Sequence, residues 1–170
     1  MRIIFVMMIL AACAFAQDQP KPAVAARACG PEDADFKVKL DDSRHMPAAP
    51  EPGKARIYFV QEIEGLSCIG SCVKTKIGMD GAWVGAMQRN SYFSVSVDPG
   101  EHHLCATPGH KTVLAHITAE AGKSYYFRAH AFINKTEDLF DFGAIDSDQG
   151  EYLIALYPLS ISQLRISRPD

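Results

Sequence analysis

The sequence lacks the hallmarks of several large functional classes. After residue 16 no apolar run approaches the roughly 20 residues that a membrane-spanning helix needs. There is no G-x-S-x-G, H-E-x-x-H or P-loop motif, and no βαβ alternation. The 17 Lys and Arg against 20 Asp and Glu give a net charge of −3 without a basic cluster, which argues against nucleic acid as a partner. We therefore expect neither a cofactor nor an enzymatic activity.

The first 16 residues have the layout of a secretory signal peptide. Arg2 is a lone positive charge before the apolar residues 3–12, and a small-residue pattern ends at Ala16. Cleavage there would export the chain to the periplasm or the medium and, by removing Arg2, make it one unit more negative. The alternative is a lipoprotein, because the Leu-Ala-Ala-Cys sequence ending at Cys13 resembles a lipobox whose cysteine is acylated.

The rest of the chain has the length of a single domain preceded by an irregular segment. We interpret residues 17–53 as a disordered leader with one short strand and a proline-rich linker. The strand is predicted at residues 35–40, where apolar and charged residues alternate. Residues 54–157 are interpreted as the main domain with a terminal helix, and residues 158–170 as a C-terminal tail.

In the main domain, turn residues separate short strand-like runs, as in an antiparallel β protein. Asp80-Gly81 between two strand-like runs is a strong hairpin signal, because a type I′ turn needs positive φ at both positions. The alternation in residues 91–97 predicts a strand with one buried face. Asp148 and Glu151 form a capping-box-like pair that predicts a short helix. The pattern indicates a mostly-β fold, a small antiparallel β-sandwich with one short C-terminal helix.

Two further hairpin registers are predicted from burial. Pairing the strands on either side of the Asp-Pro-Gly turn sets Val95 beside Leu104, so that apolar residues share one face. A three-residue loop at 120–122, with its glycine in the left-handed conformation, sets Ile117 beside Tyr125.

Three stretches in this order resemble a known family: PGKARIYFV from Pro52, KIGMDGAWVGAMQRNSYFSVSVDPGEHHLCA from Lys76 and AEAGKSYYFRAH from Ala119. They are similar to an uncharacterised bacterial family of small exported proteins, many of them lipoproteins, the domain-of-unknown-function family 2846, and to PEGA-type sandwich modules. The resemblance extends to the helix near Leu156. It implies a transthyretin-like or immunoglobulin-like β-sandwich and supplies no catalytic residues.

Export would leave four cysteines in an oxidising compartment, Cys29, Cys68, Cys72 and Cys105, which favours two disulfides. Three connectivities are open to four cysteines. The short spacing favours Cys68–Cys72, and Cys29 then pairs with Cys105. A Cys₄ zinc site would need two close pairs, and a redox centre usually has two intervening residues, so both alternatives fit less well.

One predicted sheet face offers polar side chains to a ligand. The second register above places His116, Tyr126, Arg128 and His130 on the outward face of one hairpin. Two histidines there suit zinc or copper, but Arg128 adds an opposing charge. We therefore expect a solvated face and no metal.

Other residues are weaker candidates for a metal or ligand site. His102 and His103 are adjacent on a strand, so they point to opposite faces and cannot chelate one ion together. The acidic residues before the helix do not have EF-hand spacing. Trp83 is expected to pack in the core or within its hairpin rather than to stack against a carbohydrate.

The leading hypothesis is a non-catalytic, exported cell-envelope module. It would act through a sheet face or an edge strand on another envelope protein or a cell-wall component, and would meet the membrane only through a lipid anchor at Cys13. The alternative is a small-ligand or metal-binding periplasmic protein that uses the face with His116, Tyr126 and His130. An enzyme of unrecognised type is the weakest hypothesis.

Overall fold

The computed structural model describes residues 27–43, 46–65, 73–133 and 138–166 of the 170-residue chain. The elements are β1 (Ala34–Asp41), β2 (Ala55–Gly65), β3 (Lys74–Met79), β4 (Ala82–Gln88), β5 (Ser91–Val97), β6 (Gly100–Pro108), β7 (Val113–Ala119), β8 (Ser124–Ile133), β9 (Asp138–Ile145), helix α1 (Ser147–Leu156) and β10 (Leu159–Ile166).

The strands form two sheets. The large sheet has six strands in the order β1-β10-β5-β2-β8-β9, and the small sheet has four in the order β4-β3-β6-β7. The predicted mostly-β sandwich with one short helix is confirmed. Most neighbouring strands are antiparallel as expected, whereas β2 with β8 and β5 with β10 run parallel, so the large sheet is mixed.

Strand β2 lies inside the large sheet and is buried on both faces. Ile57 and Phe59 point into the sandwich, and Tyr58 and Val60 point to the opposite face, where they pack with residues of α1. A strand covered on both sides carries a continuous apolar run instead of an alternating one. This explains the unbroken Ile-Tyr-Phe-Val sequence at residues 57–60.

The main core fills the space between the two sheets. Aromatic rings from three neighbouring strands of the large sheet meet there, with the Phe59 ring centroid 5.2 Å from that of Phe93 and 6.2 Å from that of Phe127. The small sheet contributes Ile77 and Leu104, both fully buried. Burial of this apolar area is the main stabilising contribution to a fold of this size.

Helix α1 covers the outer face of the large sheet. It begins after the N-cap Asp146, whose side chain accepts a hydrogen bond of 2.9 Å from the Gln149 backbone N–H, two residues before the predicted Asp148. Leu153 and Ile154 are buried against the sheet. Gly150 contacts the Tyr126 ring, so the helix approaches the sheet closely at this point.

The predicted hairpin at Asp80-Gly81 is confirmed. It joins β3 to β4, and both turn residues have positive φ, 51° for Asp80 and 83° for Gly81, as the type I′ turn demands. A register shift between Ile77 and Gly78 marks a β-bulge close to the turn.

The two other predicted hairpin registers were wrong. β5 and β6 lie in different sheets, as do β7 and β8, so neither connection forms a hairpin. Val95 and Leu104 do contact one apolar core, but from opposite sides of the sandwich. The burial pattern is the same in both arrangements, because facing sheets and paired strands both bring inward residues together.

The N-terminal and C-terminal segments contribute strands to the domain. The predicted strand at residues 35–40 is observed as β1. It pairs along its length with β10, so residues 159–166 belong to the large sheet and not to a tail. β10 also contacts β4: the Ser160 hydroxyl donates to the Ala86 carbonyl at 2.7 Å, and the Ser162 hydroxyl accepts from its N–H at 3.1 Å. These bonds satisfy backbone groups at the edge of the small sheet.

Candidate functional site

A polar group on the outer face of the large sheet lies beside the end of α1, where Tyr157 contacts it. Four of its side chains come from two central strands, Glu62 and Glu64 from β2 and Arg128 and His130 from β8. Residues two apart on a strand share a face, and the parallel register sets Glu62 next to His130. We call the three residues Glu62, Glu64 and His130 the carboxylate–histidine cluster.

Glu62 is held by two donors. Arg128 Nη1 donates to Glu62 Oε2 at 3.2 Å, and the Tyr157 hydroxyl donates to Glu62 Oε1 at 3.0 Å. Burial, together with the hydrogen bond to Glu62 and its charge, raises the pKa of Tyr157 to about 12. The phenol therefore stays protonated at neutral pH. By donating its hydrogen bond, it holds the Glu62 carboxylate in position.

His130 has a ring nitrogen without a hydrogen bond. Its Nε2 is buried and makes no hydrogen bond, although Glu64 Oε1 lies within ion-pair distance of it, at 3.4 Å. Donor atoms of Glu62, Glu64 and His130 all lie within 4.8 Å of one another. Two carboxylates and one imidazole at this spacing form a set of ligands that a cation can bind.

The four residues of the predicted binding face do not share a face. Arg128 pairs with Glu62 and His130 belongs to the carboxylate–histidine cluster, but His116 lies on β7 of the small sheet and is exposed. Tyr126 is buried under α1, with its ring 5.1 Å from that of Tyr58 and nearly parallel to it. The face predicted from the β7–β8 hairpin was therefore wrong, because that hairpin does not exist.

His116 and Tyr126 do line one crevice of about 260 Å³, which His130 does not reach. Burial, with the nearby Glu151 carboxylate, raises the pKa of Tyr126 to about 12, and its hydroxyl donates to Glu151 Oε1 at 3.3 Å. Tyr126 is thus a protonated packing residue that ties the sheet to the helix.

The pairing of Cys29 with Cys105 is observed. The two Cα atoms are 5.6 Å apart, within the range of disulfides, and Cys105 is fully buried. The bridge fixes the N-terminal segment to the small sheet. Cys13, Cys68 and Cys72 lie outside the described residues, so lipidation and the second predicted pair stay predictions.

Trp83 holds the same N-terminal segment in place. Its indole Nε1 donates to the Pro31 carbonyl at 2.6 Å, Gly30 contacts its ring, and Lys76 Nζ lies 4.5 Å from the ring centroid. A crevice of about 720 Å³ opens beside it. With these contacts the indole packs against the N-terminal segment and against Lys76 of its own hairpin.

A second charged pair lies at the β3–β4 turn. His102 Nδ1 is 2.6 Å from Asp80 Oδ2, and His102 Nε2 is 2.8 Å from the Asp98 carbonyl oxygen. Both neighbours are acceptors, so the protonated imidazole satisfies both. Burial opposes the charge, but the bonds to Asp80 and Asp98 outweigh it and raise the pKa of His102. This pair fixes the turn, and it was not predicted from the sequence.

The acidic side chains near α1 that the structure describes do not form a cluster of metal ligands. Asp141 and Asp148 are exposed, and Asp146 caps the helix. Within the part of the chain that the structure describes, the group of acidic, histidine or cysteine side chains close enough to bind one metal is the carboxylate–histidine cluster. Sequence reasoning missed Glu62 and Glu64, although their alternation at the end of an apolar strand was a visible signal.

Comparison with known proteins identifies the domain. The chain matches the family described as "Protein of unknown function (DUF2846)" over residues 51–144, more than half of its length. The chain belongs to the DUF2846 family. The DUF2846 region runs through β2 to β9 and contains the carboxylate–histidine cluster, whereas β1, Cys29, α1 and β10 lie outside it.

The other comparisons give no further relatives. No curated protein and no solved structure matches the chain. In the described ranges, no helix combines the length and the apolar character that crossing a bilayer requires.

Proposed function

We propose that this DUF2846 protein is a non-catalytic module of the cell envelope that binds another protein or a cell-wall component at the β9 edge of its large sheet. The observation that carries the proposal is a pair of exposed apolar side chains. Phe132 on β8 and Leu139 on β9 are cross-strand neighbours and remain 36% and 51% exposed. Two adjoining exposed apolar side chains offer a partner an apolar contact.

The position of this pair adds to the argument. β9 is the last strand in the order of the large sheet, so one of its edges has no partner strand among the described residues. Glu64 lies beside Phe132 in the register, which places a carboxylate next to the apolar pair. An apolar centre with a charged rim next to an unpaired strand edge suits a protein partner that adds a strand or docks a side chain.

Export is part of the same proposal. The Cys29–Cys105 bridge supports it, since stable disulfides belong to oxidising compartments. We propose cleavage after Ala16 and release to the periplasm or the medium, with an acylated Cys13 as the alternative. We also propose that the sandwich is of the PEGA type. The mass of the mature protein tests export: the proposal expects a chain that begins at Gln17 or an acylated one that begins at Cys13, and an uncleaved chain starting at Met1 contradicts it.

A non-catalytic role is supported by how the polar groups are used. Tyr126 and Tyr157 have pKa values of about 12 and act as hydrogen-bond donors to carboxylates. Both ring nitrogens of His102 make hydrogen bonds at the turn, one with Asp80 and one with the Asp98 carbonyl. These groups hold the structure in place instead of being poised to transfer protons.

Site-specific photo-crosslinking in the native envelope tests the binding surface. The crosslinker is placed at position 139, and the control position is 114, because Leu114 is also an exposed leucine on an edge strand but belongs to the small sheet. The partner captured at 139 and identified by mass spectrometry should bind purified wild-type and Leu114→Asp protein but not Leu139→Asp. Equal capture at both positions, or unchanged binding by Leu139→Asp, would contradict the proposal.

One observation favours the alternative function. The alternative is a small-ligand or metal-binding periplasmic protein that uses the face with His116, Tyr126 and His130. Of these residues, only His130 lies in a group of metal ligands among the described residues, with Glu62 and Glu64. The alternative therefore moves to the carboxylate–histidine cluster.

A further inference from the structure

We propose that Glu62, Glu64 and His130 bind one divalent transition-metal ion of the zinc type, on the outer face of the large sheet. The inference deepens the alternative metal-binding function above and does not depend on export or on the protein partner proposed there. It rests on the position of the three donor groups, on the His130 nitrogen that makes no hydrogen bond and on the way in which Glu62 is held.

The strands bring the three donors together without a flexible loop. Glu62 and Glu64 are two residues apart on β2, and the parallel register with β8 places His130 beside Glu62. The gap of 3.4 Å between His130 Nε2 and Glu64 Oε1 is long for a hydrogen bond. It does match two ligands of one tetrahedral zinc ion, which stand roughly 3.4 Å apart when each bond is about 2.1 Å.

The His130 nitrogen is the observation that points to a ligand. Its Nε2 is buried and has no hydrogen-bond partner, an arrangement that costs free energy unless something binds there. Nε2 of a neutral imidazole is a common metal ligand. An ion between this nitrogen and the two carboxylates would satisfy it and would separate the negative charges of Glu62 and Glu64.

The surroundings position the carboxylate of Glu62. Arg128 and Tyr157 each donate one hydrogen bond to it, one to each oxygen. A carboxylate has about four acceptor sites, so lone pairs remain for an ion. Groups that hold a ligand in this way commonly support metal sites.

The positive charge of Arg128 lowers the affinity of the cluster for a cation, but the net charge of the cluster stays negative. The Arg128 guanidinium offsets one of the two carboxylates, which leaves one net negative charge at the cluster. Asp141 is the neighbour of His130 across the β8–β9 pair and adds a further negative charge on the solvent side. Mixed imidazole and carboxylate ligands favour zinc over calcium or magnesium, which prefer oxygen alone.

Zinc titration of the untagged, full mature chain tests the inference. The protein is freed of metal with a chelator, kept without reductant so that its thiols do not compete, and titrated in competition with a chromophoric zinc chelator. We expect one zinc ion per chain. His130→Gln and Glu64→Gln should each weaken binding by at least about tenfold.

Matched controls keep the test sharp. His116→Gln and Glu101→Gln change an exposed histidine and an exposed glutamate away from the cluster and should leave zinc affinity unchanged. Glu64 is 58% exposed at its side chain, so Glu64→Gln should retain the wild-type melting temperature without metal. Zinc should raise the melting temperature of the wild type and of both controls.

Three results would overturn the proposal. They are no zinc binding by the wild type, His130→Gln binding zinc as tightly as His116→Gln, and displacement of bound zinc by equimolar calcium. The first denies a site, the second places the ion elsewhere on the chain, and the third denies the transition-metal assignment.

Discussion

Gly78 lies against the Cys29–Cys105 bridge: a Cβ built on Gly78 would stand 2.8 Å from Cys105 Sγ and 2.8 Å from the Cys29 Cα. The disulfide therefore crosses β3 where that strand has no side chain. This contact links the N-terminal segment, which lies outside the DUF2846 match, to a strand inside it.

Gly78→Ala should destabilise the protein by about 1–3 kcal/mol, because the added methyl group meets backbone and sulfur atoms that cannot move aside easily. Urea unfolding measures the change. Gly143→Ala is the matched control, since Gly143 is also a strand glycine but has no atom within 4 Å of its added Cβ. Equal stability of the two variants would contradict the close contact.

Removal of the bridge should lower the free energy of unfolding by up to about 4 kcal/mol, because the linked residues are 76 positions apart and the disulfide restricts the unfolded chain. The double variant Cys29→Ala/Cys105→Ala, compared with the wild type in urea without reductant, isolates this bridge from the remaining cysteines. A double variant as stable as the wild type would show that the bridge does not contribute.

Leu153→Ala on α1 should cost about 2–5 kcal/mol, because the side chain is buried against the large sheet and its loss leaves a cavity. Leu156→Ala on the same helix removes a side chain that is 56% exposed and should change stability by less than about 0.5 kcal/mol. Thermal unfolding of both variants tests the docking of the helix. Similar losses at both positions would argue against it.

The Asp80–His102 pair should make stability depend on pH in two directions. The pKa of His102 is raised above its usual 6.5, so its contribution is complete below pH 6.5 and is lost as pH rises through the raised value. For Asp80, burial is outweighed by the bonds from His102 and His103, and the pKa falls below its usual 3.8. Its contribution is therefore present above pH 3.8 and is lost as pH falls through the lowered value.

Asp80→Asn tests this pair and keeps a residue that tolerates positive φ at the turn. The stability difference from the wild type should be largest between about pH 4 and 6.5 and should shrink on both sides, with a maximum under about 1 kcal/mol because Asp80 is partly exposed. NMR titration of the His102 ring should give a pKa above 6.5 in the wild type and a lower one in the variant. A difference that is constant with pH would contradict the charge pairing.

The sequence predicts those features of the fold that depend on local chemistry. Asp80-Gly81 carries its turn type in two residues, and the alternation in β5 reports which side chains face the core. The Cys29–Cys105 pair also follows from counting cysteines and assigning the closest two to each other. None of these inferences needs the order of strands in a sheet.

The order of strands is where sequence reasoning fails. Val95 and Leu104 contact one core whether their strands are paired or face each other across it, so the burial pattern cannot choose. The candidate site depends on the same missing information. Glu62 and His130 are brought together by a parallel pairing of β2 with β8. Parallel strands are not joined by a tight turn, so no turn motif in the sequence indicates this pairing.

The central claim is that a disulfide between Cys29 and Cys105 joins the N-terminal segment to the β-sandwich. Peptide mapping tests this claim most directly. Protein isolated from its native compartment is alkylated without reductant, digested and analysed by mass spectrometry. We expect a disulfide-linked peptide pair that contains Cys29 and Cys105. Alkylated, unlinked Cys29 and Cys105 would contradict it.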